Sequence, residues 1–225
     1  MRQTATRRPP ARRRRRRKKR SAAPLVLLLL AILAGGLLLG WLLRGGGMAG
    51  QTNPNVKTPP ENPDWITRDL LSVNAYSRPG TPLDAINGIV IHYVGNPGTT
   101  AEQNHSYFAG LAQSGETYAS SHFLIGMDGK ILQNVPLDEV AYCSSQRNND
   151  TLSIECCHPD DAGEFTRETY DALVKLTRWL MDYYELDTSQ VLRHYDVTGK
   201  ECPRYYVQHP EAWEAFLSDL ERAEE

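Results

Sequence analysis

Two histidines and one cysteine are the residues of this chain most suited to chemistry. His92 sits inside the apolar run Ile89-Val90-Ile91-His92-Tyr93-Val94, where an imidazole has no packing reason to be. His194 and Cys202 lie on one short segment, His194-Tyr195-Asp196-Val197-Thr198-Gly199-Lys200-Glu201-Cys202-Pro203. Imidazole nitrogen and thiolate sulfur are donors that zinc prefers, and three protein ligands leave a fourth position open for water. Water of lowered pKa is a hydroxide source near neutral pH, the basis of metal-assisted hydrolysis. The bland alternatives are a satisfied core histidine at position 92 and a chance pairing of His194 with Cys202.

Such a site also needs a proton acceptor and a group that stabilises an oxyanion. Glu155 is the candidate base. It stands in Ser153-Ile154-Glu155-Cys156-Cys157, where period-two geometry puts it opposite Ile154 and Cys156. A carboxylate in an apolar strand is expensive to bury alone, so a structural salt bridge is the competing reading. Lys200, two residues before Cys202, can project near the same metal; a solvated loop lysine is its alternative.

The segments INGIVIHYVG, ASSHFLIGMDGKILQ, NNDTLSIECC and RHYDVTGKECP add a second line of argument. In this order they resemble the blocks of the zinc-dependent N-acetylmuramoyl-L-alanine amidases, in the superfamily of phage-type lysozyme amidases and peptidoglycan recognition proteins. The resemblance covers roughly residues 65–220. It implies Zn²⁺ held by His92, His194 and Cys202, with Glu155 as catalytic base and Lys200 of the G-K-x-C-P element stabilising the tetrahedral intermediate. The implied reaction cleaves the amide between N-acetylmuramic acid and L-alanine of peptidoglycan. A recognition module that binds wall peptides without cutting them is the alternative from another functional class. Loss of the cysteine ligand would favour it, and Cys202 is present.

Two positions depart from the family pattern. Where many relatives carry an A-W-H block, this chain reads Ala141-Tyr142-Cys143. Where phage-type relatives have tyrosine before the H-F pair, it has Ser121 before His122-Phe123, with Tyr118 nearby. His122, Tyr93 and Cys143 are therefore expected as substrate contacts or supports behind the ligands, His122 equally as a core residue. His105, His158 and His209 read as ordinary helix-face or loop residues. With Cys202 committed to zinc, a Cys143–Cys157 disulfide beside the site is expected. Cys157 shares the Glu155 face, while Cys156 points into the core as a free thiol.

Charge divides the chain. Twelve of the 25 Lys and Arg residues lie in the first 20 positions, including the run Arg12 to Arg20. After Arg44, twelve basic residues remain against all 27 acidic ones, a formal charge of −15 for residues 45–225. Residues 21–43 contain no charge, with 25–43 mostly leucine, about the length that spans a bilayer as a helix. Basic residues beside a span favour the cytoplasmic side. The expected order is a basic cytoplasmic tail (1–20), a single transmembrane helix (21–43), a Gly/Pro linker (44–63) and an extracytoplasmic domain (64–225). A cleaved signal peptide competes, with Met48-Ala49-Gly50 as a processing site. The arginine run is read as a topology signal and an anionic-lipid contact rather than a nucleic-acid patch.

Within residues 64–225, Ile89–Tyr93 reads as a strand buried on both faces. Thr99 and Glu102 form a capping-box pattern that opens a helix through about Gln113, with Phe108 and Leu111 inward. Segments 121–126 and 130–135 alternate like strands around the turn Met127-Asp128-Gly129, and Leu152–Cys157 is another strand. Thr166 starts the longest helix, whose apolar stripe runs from Tyr170 through Leu173 and Leu180 to Tyr184. Val191-Leu192-Arg193 is a short strand ending at His194, and Pro210 opens a last helix. Strands alternating with helices predict an α/β fold with a mixed central sheet flanked by helices, acting as a monomeric catalytic domain.

Overall fold

Short segments rich in apolar residues become the strands, and the stretches capped by Thr100 and Thr166 become the two longest helices. The computed structural model describes residue 53 and residues 56–222. In chain order these contain β1 (Ile66–Arg68), β2 (Ile89–Tyr93), α1 (Ala101–Ser114), β3 (Phe123–Ile125), β4 (Ile131–Gln133) and β5 (Leu152–Cys156). There follow α2 (Arg167–Tyr184), β6 (Val191–Arg193), α3 (His194–Thr198), α4 (Arg204–Gln208) and α5 (Pro210–Glu221). The basic tail, the apolar run and the first part of the linker lie outside the described residues. Among the described residues no helix is long and apolar enough to cross a membrane.

The strands pair in the order β1-β4-β3-β5-β2-β6. β3 and β4 are antiparallel and the other neighbouring pairs parallel, so the sheet is mixed, as expected. On one face Ile89, Ile91, Phe123, Ile125, Leu152, Ile154 and Cys156 meet Leu173, Leu176 and Leu180 of α2 and Phe216 of α5. On the other, Val94, Leu124, Leu132 and Cys157 meet Ala101, Phe108 and Leu111 of α1. Each such large side chain stabilises the fold by ~1.5–3 kcal/mol when fully buried. A one-residue slip of β2 would exchange the two sets and carry His92 to the wrong face, so burial fixes the register.

Local chemistry moves some boundaries. The cap of α1 is Thr100, not Thr99. The Thr100 hydroxyl accepts from Gln103 N (3.3 Å) while Gln103 Oε1 accepts from Thr100 N (2.9 Å). Thr99 instead donates to Asn96 O (2.7 Å), and Glu102 pairs with Lys130. β3 begins later than alternation predicts because Ser121 turns its hydroxyl onto Phe123 O (2.8 Å), a local bond that competes with the ladder. Strand β1 and helices α3 and α4 were not foreseen. The Thr166 cap, Pro210 at the start of α5 and the β2, β5 and β6 assignments agree with the sequence. From Val56 to Pro63 the chain runs as coil along the domain, where Lys57 donates to Tyr183 O and the Tyr183 hydroxyl donates to Thr58 O.

Candidate active site

Three parallel strands bring the chemistry together. β2 carries His92, β5 carries Glu155, and β6 ends at His194, the first residue of α3. A salt bridge steadies that last junction: Arg193 Nη2 lies 2.7 Å from Asp196 Oδ1, and Arg193 Nη1 donates to Tyr206 O (3.0 Å) on α4. Gly199 ends α3 at φ +77°, a left-handed conformation that glycine adopts without a Cβ penalty. The chain then doubles back, and Tyr195 N donates to Cys202 O (2.9 Å). His194 and Cys202 thereby face the same point.

The donor atoms of His92, His194 and Cys202 all lie within 4.8 Å of one another, and all three residues are buried. His92 Nδ1 stands 3.9 Å from Cys202 Sγ, and the two imidazole centroids are 4.7 Å apart. Both ring nitrogens of His194 are buried without a hydrogen-bond partner. Buried polar atoms rarely go unsatisfied, so an orphaned imidazole facing a histidine and a thiol fits a metal position.

Electrostatics favour the ligating forms of the histidines. Burial pushes His92 well below its ordinary value, with the His194 and Lys200 charges adding to it. Burial and then Lys200 lower His194. Both rings are neutral at neutral pH, the form that binds metals. Cys202 is pushed up to about 12, by burial first and Glu155 second, while the Tyr93 backbone N–H and Lys200 oppose the shift. Without a cation the thiol keeps its proton.

Glu155 is the register partner of His92. Burial raises its carboxyl to about 7, against the lowering effects of Cys143 and Lys200. Oε1 accepts from the Cys143 thiol (3.4 Å), whereas Oε2 is buried with no partner. His92, Cys143 and Glu155 form a second cluster within 4.8 Å, sharing the histidine with the first. Lys200 lies on the exposed loop after Gly199, its backbone N–H on the Thr198 hydroxyl (3.2 Å). Its charge bears on His92, His194, Glu155 and Cys202.

The remaining predicted residues divide. Cys143 reaches the site, but the disulfide does not form, because all four cysteines are free. Cys143 turns to Glu155, whereas Cys157 faces α1, where Asn104 Nδ2 lies 3.6 Å from its sulfur. Cys156 is a buried core thiol, as expected. The Tyr93 backbone N–H opposes the upward shift of the Cys202 thiol, while its half-buried ring lies tilted against His158 (4.9 Å). His122 stands apart from the ligands. Its Nδ1 accepts from Ser153 N (3.0 Å), so Nε2 carries the proton and donates to Glu139 O (2.9 Å). His105 hydrogen-bonds Asn134, and His209 is exposed beside Glu211. His158 is more buried than its loop position suggested, with its ring nitrogens 2.7 Å from Val94 O and Asp160 O.

Sequence reasoning passed over Ser144 and Asn148. Ser144 Oγ lies 3.1 Å from His92 Nε2. Asn148 Oδ1 accepts from the backbone N–H groups of both Cys143 (3.0 Å) and Ser144 (2.6 Å). Adjacency to Cys143 was the only signal the sequence held for Ser144, and Asn148 carried none.

Comparison with known proteins gives a consistent result. The sequence profile of the N-acetylmuramoyl-L-alanine amidase family matches residues 82–205. A probable N-acetylmuramoyl-L-alanine amidase of Bacillus licheniformis is 34% identical over 164 residues, 67% of this chain and 46% of that protein. The 1,6-anhydro-N-acetylmuramyl-L-alanine amidase AmpD of Escherichia coli (strain K12) is 33% identical over 148 residues, 60% of this chain and 74% of AmpD. Among solved structures, the catalytic domain of XlyA superposes with a TM-score of 0.58 at 25% identity, covering 69% of this chain and 98% of that one. The chain spans less than half the length of the Bacillus licheniformis relatives.

Proposed function

The chain belongs to the N-acetylmuramoyl-L-alanine amidase family, and from that membership we propose that it is a zinc hydrolase of peptidoglycan. Its substrate bond is the amide joining N-acetylmuramic acid to L-alanine. The observation that carries the zinc assignment is the buried His92, His194 and Cys202 set with its orphaned imidazole. Zinc with three protein ligands supplies Lewis acidity and a water of lowered pKa.

The chain's own groups do the rest. Glu155 Oε2, buried and unpartnered, accepts a proton from water and returns it to the leaving amine. The Cys143 thiol holds Oε1 meanwhile. Lys200 offsets negative charge developing on the carbonyl oxygen. A purely binding module has no use for a buried, unpartnered carboxylate beside such a ligand set, which favours catalysis over recognition alone. All of these groups come from one chain, consistent with a monomeric catalytic domain.

The proposal extends to placement. Residues 1–20 form a cytoplasmic basic tail on anionic lipid, 21–43 the span, 44–63 the linker and 64–225 the extracytoplasmic amidase domain. Charge and apolar length in the sequence support this. Protease added to wall-stripped cells should digest the domain; its protection until lysis would reverse the orientation.

Mass spectrometry of peptidoglycan digested by the zinc-loaded chain tests the activity. Free stem peptides with an L-alanine amino terminus should accumulate with wild type and not with Cys202→Ser. Glycan fragments that keep every stem peptide would overturn the reading.

A further inference from the structure

We propose that Ser144 is a positioning residue for the metal: its hydroxyl accepts the Nε2 proton of His92 and so aims the Nδ1 lone pair at the ligand cluster. This rests on the zinc reading above. A neutral imidazole has one N–H and one lone pair, and whatever partner meets one nitrogen selects the role of the other. His92 Nδ1 faces Cys202 Sγ at 3.9 Å, and Nε2 faces Ser144 Oγ at 3.1 Å. With the proton on Nε2, the lone pair points where His194 and Cys202 converge. The opposite tautomer would direct an N–H into that space and exclude a cation.

The hydroxyl is itself held. Ser144 is 1% exposed, so water does not compete for it. Its backbone N–H and that of Cys143 both donate to Asn148 Oδ1, at 2.6 and 3.0 Å. The following turn is tied to the ligand segment, where Gln146 Nε2 donates to Val197 O (2.6 Å) on α3. One carboxamide thus fixes a dipeptide whose neighbouring side chains serve different masters: Cys143 holds the Glu155 carboxylate and Ser144 holds His92.

The test is zinc affinity of the full chain, by competition with a chromophoric chelator, beside urea stability of the metal-free protein. Ser144→Ala should weaken zinc binding about 10–100-fold, the usual worth of a group behind a metal-binding histidine. Its metal-free stability should change little. Ser144→Thr, which keeps the hydroxyl, should recover most of the affinity, and Asn148→Ala should weaken it in the same direction as Ser144→Ala. Wild-type affinity in Ser144→Ala overturns the inference while leaving the zinc site intact. A loss of metal-free stability without a loss of affinity also overturns it, since that is the signature of a packing role. A wild-type chain that takes no zinc overturns the site reading and this inference together.

Discussion

His92 and Glu155 stand directly opposite each other on the parallel pair β2–β5. Neighbouring strands lie about 4.8 Å apart, and both residues point to the α1 face of the sheet. The proposed ligand and the proposed base are therefore spaced by backbone pairing, with no loop between them. The same register puts Ile91 beside Ile154 on the opposite, apolar face, so core packing and site geometry depend on one alignment.

If Glu155 is the base, Glu155→Gln keeps the shape of the site and removes the proton acceptor. Bound zinc should remain near stoichiometric while turnover falls ~10²–10⁴-fold, the usual contribution of general acid–base catalysis. Metal content by emission spectroscopy and initial rates on purified wall material measure both. Wild-type turnover would return Glu155 to a structural role.

Lys200→Ala should separate charge stabilisation from metal binding. The residue's exposed position predicts normal folding, and its positive charge disfavours protonation of both histidines. Turnover should drop about 10²-fold or more, an effect in the range of a lost oxyanion contact. Loss of zinc in this variant would mean that its role is in assembling the site.

Because burial holds the Cys202 thiol at about 12, zinc must displace a proton to bind the thiolate. Both histidines are neutral and release none. Titration calorimetry in buffers of different ionisation enthalpy should find about one proton released per zinc near pH 8, where Glu155 is already ionised, and affinity should rise about tenfold per pH unit. A pH-independent affinity would remove Cys202 from the ligand set.

His122 predicts a second pH dependence, this one of stability. Burial lowers it to about 4, with the Glu139 contacts opposing. A histidine kept neutral in the fold stabilises fully above its unfolded value of about 6.5, and the contribution is lost as pH falls through about 4. Over that window the loss is about 3 kcal/mol. Urea unfolding of wild type and His122→Gln, both metal-free, should show their stability gap narrowing by that order between pH 7 and 4. A constant gap would mean that His122 does not titrate differently on folding.

The parts of the site that follow from burial were legible in the sequence. An imidazole in Ile89–Val94 and a carboxylate in Leu152–Cys156 are costly without a role, and each reaches the same face through strand parity. The Thr100 cap was missed by one position because two adjacent threonines each have a polar residue three places on, Glu102 and Gln103. Parity correctly put Cys157 on the Glu155 face, yet it says nothing of which neighbour a side chain meets there, and Cys157 meets α1. Ser144 and Asn148 were invisible for a related reason. Their roles exist only once a turn with no periodic pattern is folded back over β2.

β6 is an edge strand of three residues, bonded among the described strands to β2 alone, and both His194 and Cys202 follow it. An edge this short should open locally at far lower cost than the whole domain. A cation shared between it and His92, deep in the sheet, would act as a rivet closing residues 191–202 onto the interior. Amide exchange along that stretch should then report zinc occupancy, slow when loaded and fast when stripped. Molecules that lose their metal would also be those whose edge frays for a protease to find, so that the chain's lifetime follows its competence.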